Sequence, residues 1–167
     1  TRLNKLSPRI DRLHAVGPDM DIWYTLGVKR AWLAGSGRNI PSFEIFTSPD
    51  WRGTEGWIRI NQPLYRYSNK ITGIELWFKN GRVVKSKAKT NEKLLKEMIA
   101  TPGADKIGEY SLTDRRHSRI TKFMAETLFD ENMGGPYGNS HIALGMSYRD
   151  TYAGDVSKLT TKQAEAL

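Results

Sequence analysis

Four side chains in this 167-residue chain sit in settings that do not suit their polarity. Glu44 stands among Phe43, Ile45 and Phe46, and Glu109 lies inside the strand-like run from Lys106 to Leu112. Glu131 precedes a glycine-rich stretch, and His141 follows it at the head of Ile142-Ala143-Leu144. A carboxylate in a buried run needs Arg, backbone donors or a metal to offset its desolvation. Carboxylates and an imidazole brought together from separate elements make an oxygen and nitrogen donor set suited to Zn²⁺, Co²⁺ or Mn²⁺. Two such ions sharing a carboxylate would sit about 3.5–4 Å apart, polarise a carbonyl and acidify a bridging water.

Tyr148 adds a geometric condition. On a helix, its offset from His141 leaves the two side chains on one face but roughly 10 Å apart. On a regular strand, an odd offset sends them to opposite faces. Both reach one centre only if the backbone bends between them, and Gly145 is placed to allow it. Each residue also has a plainer explanation. Glu44 could alternate outward while Phe43 and Ile45 point inward, and Asp130-Glu131-Asn132 could be an acidic helix-capping turn beside a core His141.

Other chemistries find little to use. The chain has no cysteine, so any metal must rest on carboxylates and imidazoles. It has no phosphate-binding glycine loop, no Gly-x-Ser-x-Gly elbow and no His-Glu-x-x-His helix. His14 and His117 read as surface residues, and Arg115-Arg116 as a solvated pair. The 26 basic and 18 acidic side chains leave a net charge of +8. That excess suits a polyanion, with Trp51, Trp57 and Trp77 as possible stacking surfaces. The cations are scattered rather than blocked, however, and nucleic acid is not the expected partner. No apolar run is long enough to span a bilayer, so no membrane is expected and the cytoplasm is the default location.

The elements that must position these residues are mostly strands. The spacing of Leu3, Leu6, Ile10 and Leu13 predicts a short helix within residues 1–16, interrupted by Pro8. Asp21 to Val28 reads as a strand, with Lys29 to Trp32 pairing back before a turn at Gly35-Ser36-Gly37. Pro41 and Pro49 argue against a central strand around Glu44. Gly53 to Val84 is a run of strands with a hairpin at Asn80-Gly81. Lys89 to Ile99 reads as a helix capped by Thr90, Arg119 to Thr127 as a weak helix, and Thr160 onward as the start of another. The fold class is α+β: mostly antiparallel hairpins forming a twisted sheet, with a few short helices.

Longer motifs give these residues a common context. The run from Asn39 to Pro49, Asn-Ile-Pro-Ser-Phe-Glu-Ile-Phe-Thr-Ser-Pro, resembles the N-I-P-x-x-E-x-F-T-x-P element of the thermophilic-type metallo-aminopeptidases, the aminopeptidase T and aminopeptidase S family. Ile107-Gly108-Glu109 resembles that family's second acidic element. Leu128-Phe129-Asp130-Glu131-Asn132, followed by His141-Ile142-Ala143-Leu144-Gly145 and Tyr148, resembles its L-F-D-E-N … H-x-A-x-G-x-x-Y block. The likeness runs in order from about Gly17 to Tyr148.

The resemblance implies that Glu44, Glu109 and His141 are metal ligands. Tyr148 would be a further ligand, or a catalytic phenol beside them, at a centre of two divalent ions (Zn, Co or Mn). It implies removal of N-terminal residues from a peptide substrate, Glu131 as a candidate proton shuttle, and a homodimer. The family pattern also has a large N-terminal α/β domain and a later His-x-Asp pair, and no His follows His141 here. Residues 1–167 are therefore expected to be part of one catalytic domain, and to bind metal weakly with little activity in isolation. The competing expectation is a non-catalytic, basic, β-rich domain that binds nucleic acid or a protein.

Overall fold

A computed structural model describes residues 2–34 and 39–165 of the chain. A short helix α1 (Arg2–Leu6) and a 3-10 turn (Ser7–Arg9) lead into two hairpin strands, β1 (Arg12–Gly17) and β2 (Met20–Thr25). Leu13 thus lies on a strand rather than continuing the helix, because Pro8 limits the helical segment to the residues before and around it. Next come β3 (Leu33–Ala34), β4 (Ile45–Thr47), β5 (Asp50–Ile60), β6 (Leu64–Arg66), β7 (Asn69–Ile71), β8 (Ile74–Lys79) and β9 (Arg82–Lys87). Helix α2 (Glu92–Ala100), β10 (Ile107–Thr113), a single turn α3 (Thr127–Asp130), β11 (Asn139–Leu144) and α4 (Thr161–Glu165) complete the order. The expected turn at Gly35-Ser36-Gly37 lies outside the described residues.

All strand pairs are antiparallel. A five-stranded sheet has the order β1-β2-β5-β8-β9, and a four-stranded sheet the order β11-β10-β4-β3. The small β6–β7 hairpin stands apart. Alternation sets the faces of the larger sheet: Ile22, Tyr24, Ile58, Ile74, Leu76 and Phe78 are buried. Trp57 and Trp77, paired across β5 and β8, lie on the other face. There Arg59 sits 5.9 Å from the Trp57 ring and Lys85 4.5 Å from the Trp77 ring. Asn80-Gly81 turns β8 into β9, with left-handed backbone at both residues.

Three segments differ from expectation. Asn91, in left-handed conformation, precedes α2, while Thr90 ties down β7 by accepting from the Thr72 amide at 3.0 Å and donating to the Lys70 carbonyl at 3.1 Å. Residues 119–126 form loop rather than helix. Their backbone is held instead by Asp130, whose carboxylate accepts from the Met124 and Glu126 amides at 2.6 and 2.7 Å. Lys29 to Trp32 does not return along β2, since Arg30 bridges to Tyr152.

The two large sheets meet through aromatic rings. Tyr24 of β2 stacks on Tyr110 of β10 at 4.3 Å, and Trp32 meets Tyr110 edge-on at 6.1 Å. Tyr110 therefore faces the shared core, and its neighbours Glu109 and Ser111 face the opposite side of β10.

Candidate metal centre

Strand β10 positions the site. With Tyr110 committed to the core, period two places Glu109, Ser111 and Thr113 on one face. The register then aligns Ser111 with Phe46 of β4 on one side and with His141 of β11 on the other. One row, Phe46–Ser111–His141, crosses three strands, with Glu44 two residues before Phe46 at the entry to β4.

Local backbone conformations aim the carboxylates. Asn39 to Phe43 form a turn in which the Ser42 and Phe43 amides both donate to the Asn39 carbonyl, at 3.2 and 2.9 Å. Phe43 adopts φ +52 and remains 41% exposed, so Glu44 rather than its aromatic neighbour turns inward, to 3% exposure. A bulky residue in the left-handed region costs about 1–3 kcal/mol, strain of the kind stored at functional sites. The outward alternation considered for Glu44 is therefore not adopted. Nor do Pro41 and Pro49 exclude an interior strand: β4 is only three residues long, and both prolines lie outside it.

Glu109 is aimed by a bulge. The β10–β11 register shifts between Ile107 and Glu109, leaving Gly108 as the extra residue. A Cβ on Gly108 would lie 2.4 Å from the Met146 carbonyl oxygen, which requires glycine here. Gly145 ends β11 with φ +108 and supplies the bend needed between His141 and Tyr148. The Tyr148 amide then donates to Ser48 Oγ at 2.8 Å, and its ring meets Phe46 edge-on at 5.3 Å.

These constraints bring Glu44, Glu109 and His141 together, with one potential ligand atom from each lying within 4.8 Å of the others. His141 Nε2 is 3.3 Å from Glu44 Oε1, and both side chains are nearly inaccessible. Burial pushes Glu109 up to about 8, aided by the charges of Glu44 and Glu131. Glu131 rises to about 7 from burial and the Glu44 charge, opposed by Arg66. Burial lowers His141 to about 4, so its imidazole is neutral at pH 7. The Glu131 carbonyl opposes that shift, yet the buried Nδ1 makes no hydrogen bond of good geometry. Tyr148 is half-exposed and its phenol is raised, first by the Glu109 charge, then by desolvation, Glu131 and Glu44.

Glu44 is treated differently from the other two acids. Burial raises it, but the side chains of Ser111, Asn132 and Asn39 hydrogen-bond to it and oppose the rise. Ser111 Oγ donates to Oε1 at 2.5 Å. Behind Asn132, Thr113 Oγ1 lies 3.4 Å from its Oδ1. Sequence reading missed Ser111, Thr113 and Asn39. The available signal was alternation, which carries the Glu109 face to residues 111 and 113.

A divalent cation fits this chemistry. Two acids whose ionisation burial opposes, Glu44 and Glu109, form with the neutral His141 imidazole an oxygen and nitrogen donor set whose repulsion a cation would relieve. Of the other residues considered, Asp130 is committed to its loop amides. His14 and His117 are exposed, with His14 stacked on Trp23 at 4.0 Å and paired with Asp21. Arg116 pairs with Asp114 at the surface, and Arg115 donates to the Pro136 carbonyl at 2.7 Å.

Comparison with known proteins identifies the family. Residues 1–167 match the family described as Thermophilic metalloprotease (M29). The chain is 32% identical over 158 residues to Aminopeptidase T of Thermus thermophilus, covering 87% of this chain and 38% of that protein. It is 34% identical over 149 residues to Aminopeptidase AmpS of Bacillus subtilis, covering 81% of this chain and 35% of that protein. The solved structure of wild-type AmpT from Thermus thermophilus superposes with a TM-score of 0.78 at 30% identity, over 92% of this chain and 41% of that one. The chain thus spans well under half the length of the relatives it matches.

Proposed function

The chain belongs to the thermophilic metalloprotease (M29) family, and from that premise we propose that it forms part of the catalytic domain of a metal-dependent aminopeptidase. The observation that carries the reading is the convergence of Glu44, Glu109 and His141, from three different strands or their ends, on one buried point. Relatives named as aminopeptidases support the reaction class. The reading includes a peptide substrate, a homodimer and a cytoplasmic setting.

In this reading Glu44, Glu109 and His141 hold two divalent ions (Zn, Co or Mn), with Tyr148 as a further ligand or a phenol beside them. Bound there, the ions supply Lewis acidity toward a scissile carbonyl and lower the pKa of water. The chain's own residues do the rest. His141 offers a neutral nitrogen, because burial keeps its proton off. Glu131, pushed up to about 7, is poised to accept and return a proton near neutral pH and is the candidate shuttle to the leaving amine. Tyr148 keeps its proton beside three carboxylates and can donate a hydrogen bond to substrate. The Phe46 ring packs edge-on against it.

The test is hydrolysis of leucyl and other aminoacyl anilides by the longest polypeptide that carries this sequence. It is stripped with chelator and then given Zn²⁺, Co²⁺ or Mn²⁺ in turn. Activity restored by an ion and abolished by Glu109→Gln is the expected result. Stoichiometric metal with no hydrolysis under any ion would remove aminopeptidase and leave a metal site with another substrate.

A further inference from the structure

We infer that Ser111 is a positioning residue of the metal centre, fixing the Glu44 carboxylate so that its remaining lone pairs face Glu109 and His141. This rests on the metal-centre reading above and adds a role for a residue that touches neither substrate nor ion.

Ser111 is fully buried on β10, between Phe46 and His141 in register. A buried hydroxyl without a partner costs free energy. Strand β10 already spends its backbone groups on β4 and β11, so the hydroxyl needs a side-chain acceptor. It donates to Glu44 Oε1 at 2.5 Å, across 67 residues of sequence. That same oxygen lies 3.3 Å from His141 Nε2.

A carboxylate has about four lone-pair sites. One on Oε1 is taken by Ser111, and the amides of Asn132 and Asn39 engage the group as well. The donors leave Glu44 little freedom to rotate. At Glu109, burial and the neighbouring acids Glu44 and Glu131 dominate the setting. Glu44 is held in place before any ion arrives. Partners that orient a ligating carboxylate typically account for about 10–100-fold in metal affinity.

The experiment measures Co²⁺ affinity by competition with a chromogenic chelator, together with the visible absorption spectrum of the Co²⁺ form. Wild type, Ser111→Ala, Ser111→Thr and Glu44→Gln are compared in the longest polypeptide carrying this sequence, and melting of the metal-free forms is followed in parallel. The expected result for Ser111→Ala is affinity weakened about 10–100-fold and an altered spectrum. Ser111→Thr, which keeps the hydroxyl, is expected to restore the wild-type spectrum. Loss of metal-free stability in Ser111→Ala with affinity and spectrum unchanged would make Ser111 a strand-packing residue and overturn the inference. Undiminished Co²⁺ binding in Glu44→Gln would instead overturn the metal-centre reading, and the Ser111 role with it.

Discussion

The five-stranded sheet buries Ile22, Tyr24, Ile58, Ile74, Leu76 and Phe78, whereas the four-stranded sheet and its flanks bury Glu44, Thr47, Ser48, Glu109, Ser111 and Thr113. One sheet follows the ordinary rule that burial and apolarity go together. The other buries polar and acidic side chains beside Ile107, and stacks Tyr110 on Tyr24 in a core shared with its neighbour. The contrast teaches where stability and chemistry reside. Apolar area removed from water contributes roughly 25 cal/mol per Å², and the larger sheet supplies most of it. Buried acids held together in the smaller sheet cost stability until something positive joins them.

The sharpest way to break the comparison is to alter one acid. Glu109→Gln should reduce anilide hydrolysis by about 1000-fold or more, because it removes a proposed ligand. The metal-free variant should melt no lower than wild type at neutral pH, since a neutral amide replaces a carboxyl that burial already keeps largely protonated. A lower melting temperature would show that Glu109 serves the fold. The mirror-image variant is Ile58→Ala, fully buried in the other sheet. It should cost about 2–5 kcal/mol in denaturant unfolding and leave metal affinity unchanged.

The pH dependence of the metal-free protein separates the same two regions. Glu109 at about 8 and Glu131 at about 7 lie above their ordinary value of 4.5. Their contribution is fully present below that value and is lost as pH rises through 7 and 8. His141, lowered from 6.5 to about 4, acts oppositely and costs stability as pH falls below 6.5. Two acids outweigh one imidazole, so the chelator-treated protein should melt at progressively lower temperature from pH 5 to pH 8. Added Zn²⁺ should recover more at pH 8 than at pH 5. A flat profile would mean that the acids are not coupled to folding.

How much of this was legible in the sequence differs between the two sheets. Alternation in Ile71 to Phe78 and the Asn80-Gly81 turn announce the hairpin directly, because period two and turn chemistry are local properties. The acids were legible as anomalies, and the spaced motifs around Glu44, Glu109 and His141 pointed to one family. What sequence did not show was turn geometry, side-chain capture of loop amides and one long-range pairing, none of which hydrophobic periodicity encodes. The left-handed Phe43 that turns Glu44 inward depends on a turn closed by Asn39. The loop over residues 119–126 follows amides captured by Asp130, which outcompetes a weak helical preference. Ser111 looked like any strand serine until β4 placed Glu44 beside it.

Smaller perturbations refine the contrast. Gly108→Ala should reduce both stability and metal affinity, since its methyl meets the Met146 carbonyl and shifts the bulge that aims Glu109. Combined thermal melts and metal titrations would detect both effects, and loss of stability alone would uncouple the bulge from the site. The smallest effect expected is from Lys85→Ala, on the exposed side of the large sheet above Trp77. Losing that contact should cost about 0.5–1 kcal/mol and leave activity untouched.

The most direct test of the account is metal stoichiometry by equilibrium dialysis with Zn²⁺ and Co²⁺. It compares wild type with Glu44→Gln, Glu109→Gln and His141→Ala in the longest polypeptide carrying this sequence. The account predicts two ions per chain in wild type and loss of bound metal in each of the three variants. Equal metal content in wild type and all three would contradict it, and would leave the buried acids of the smaller sheet without the role assigned to them.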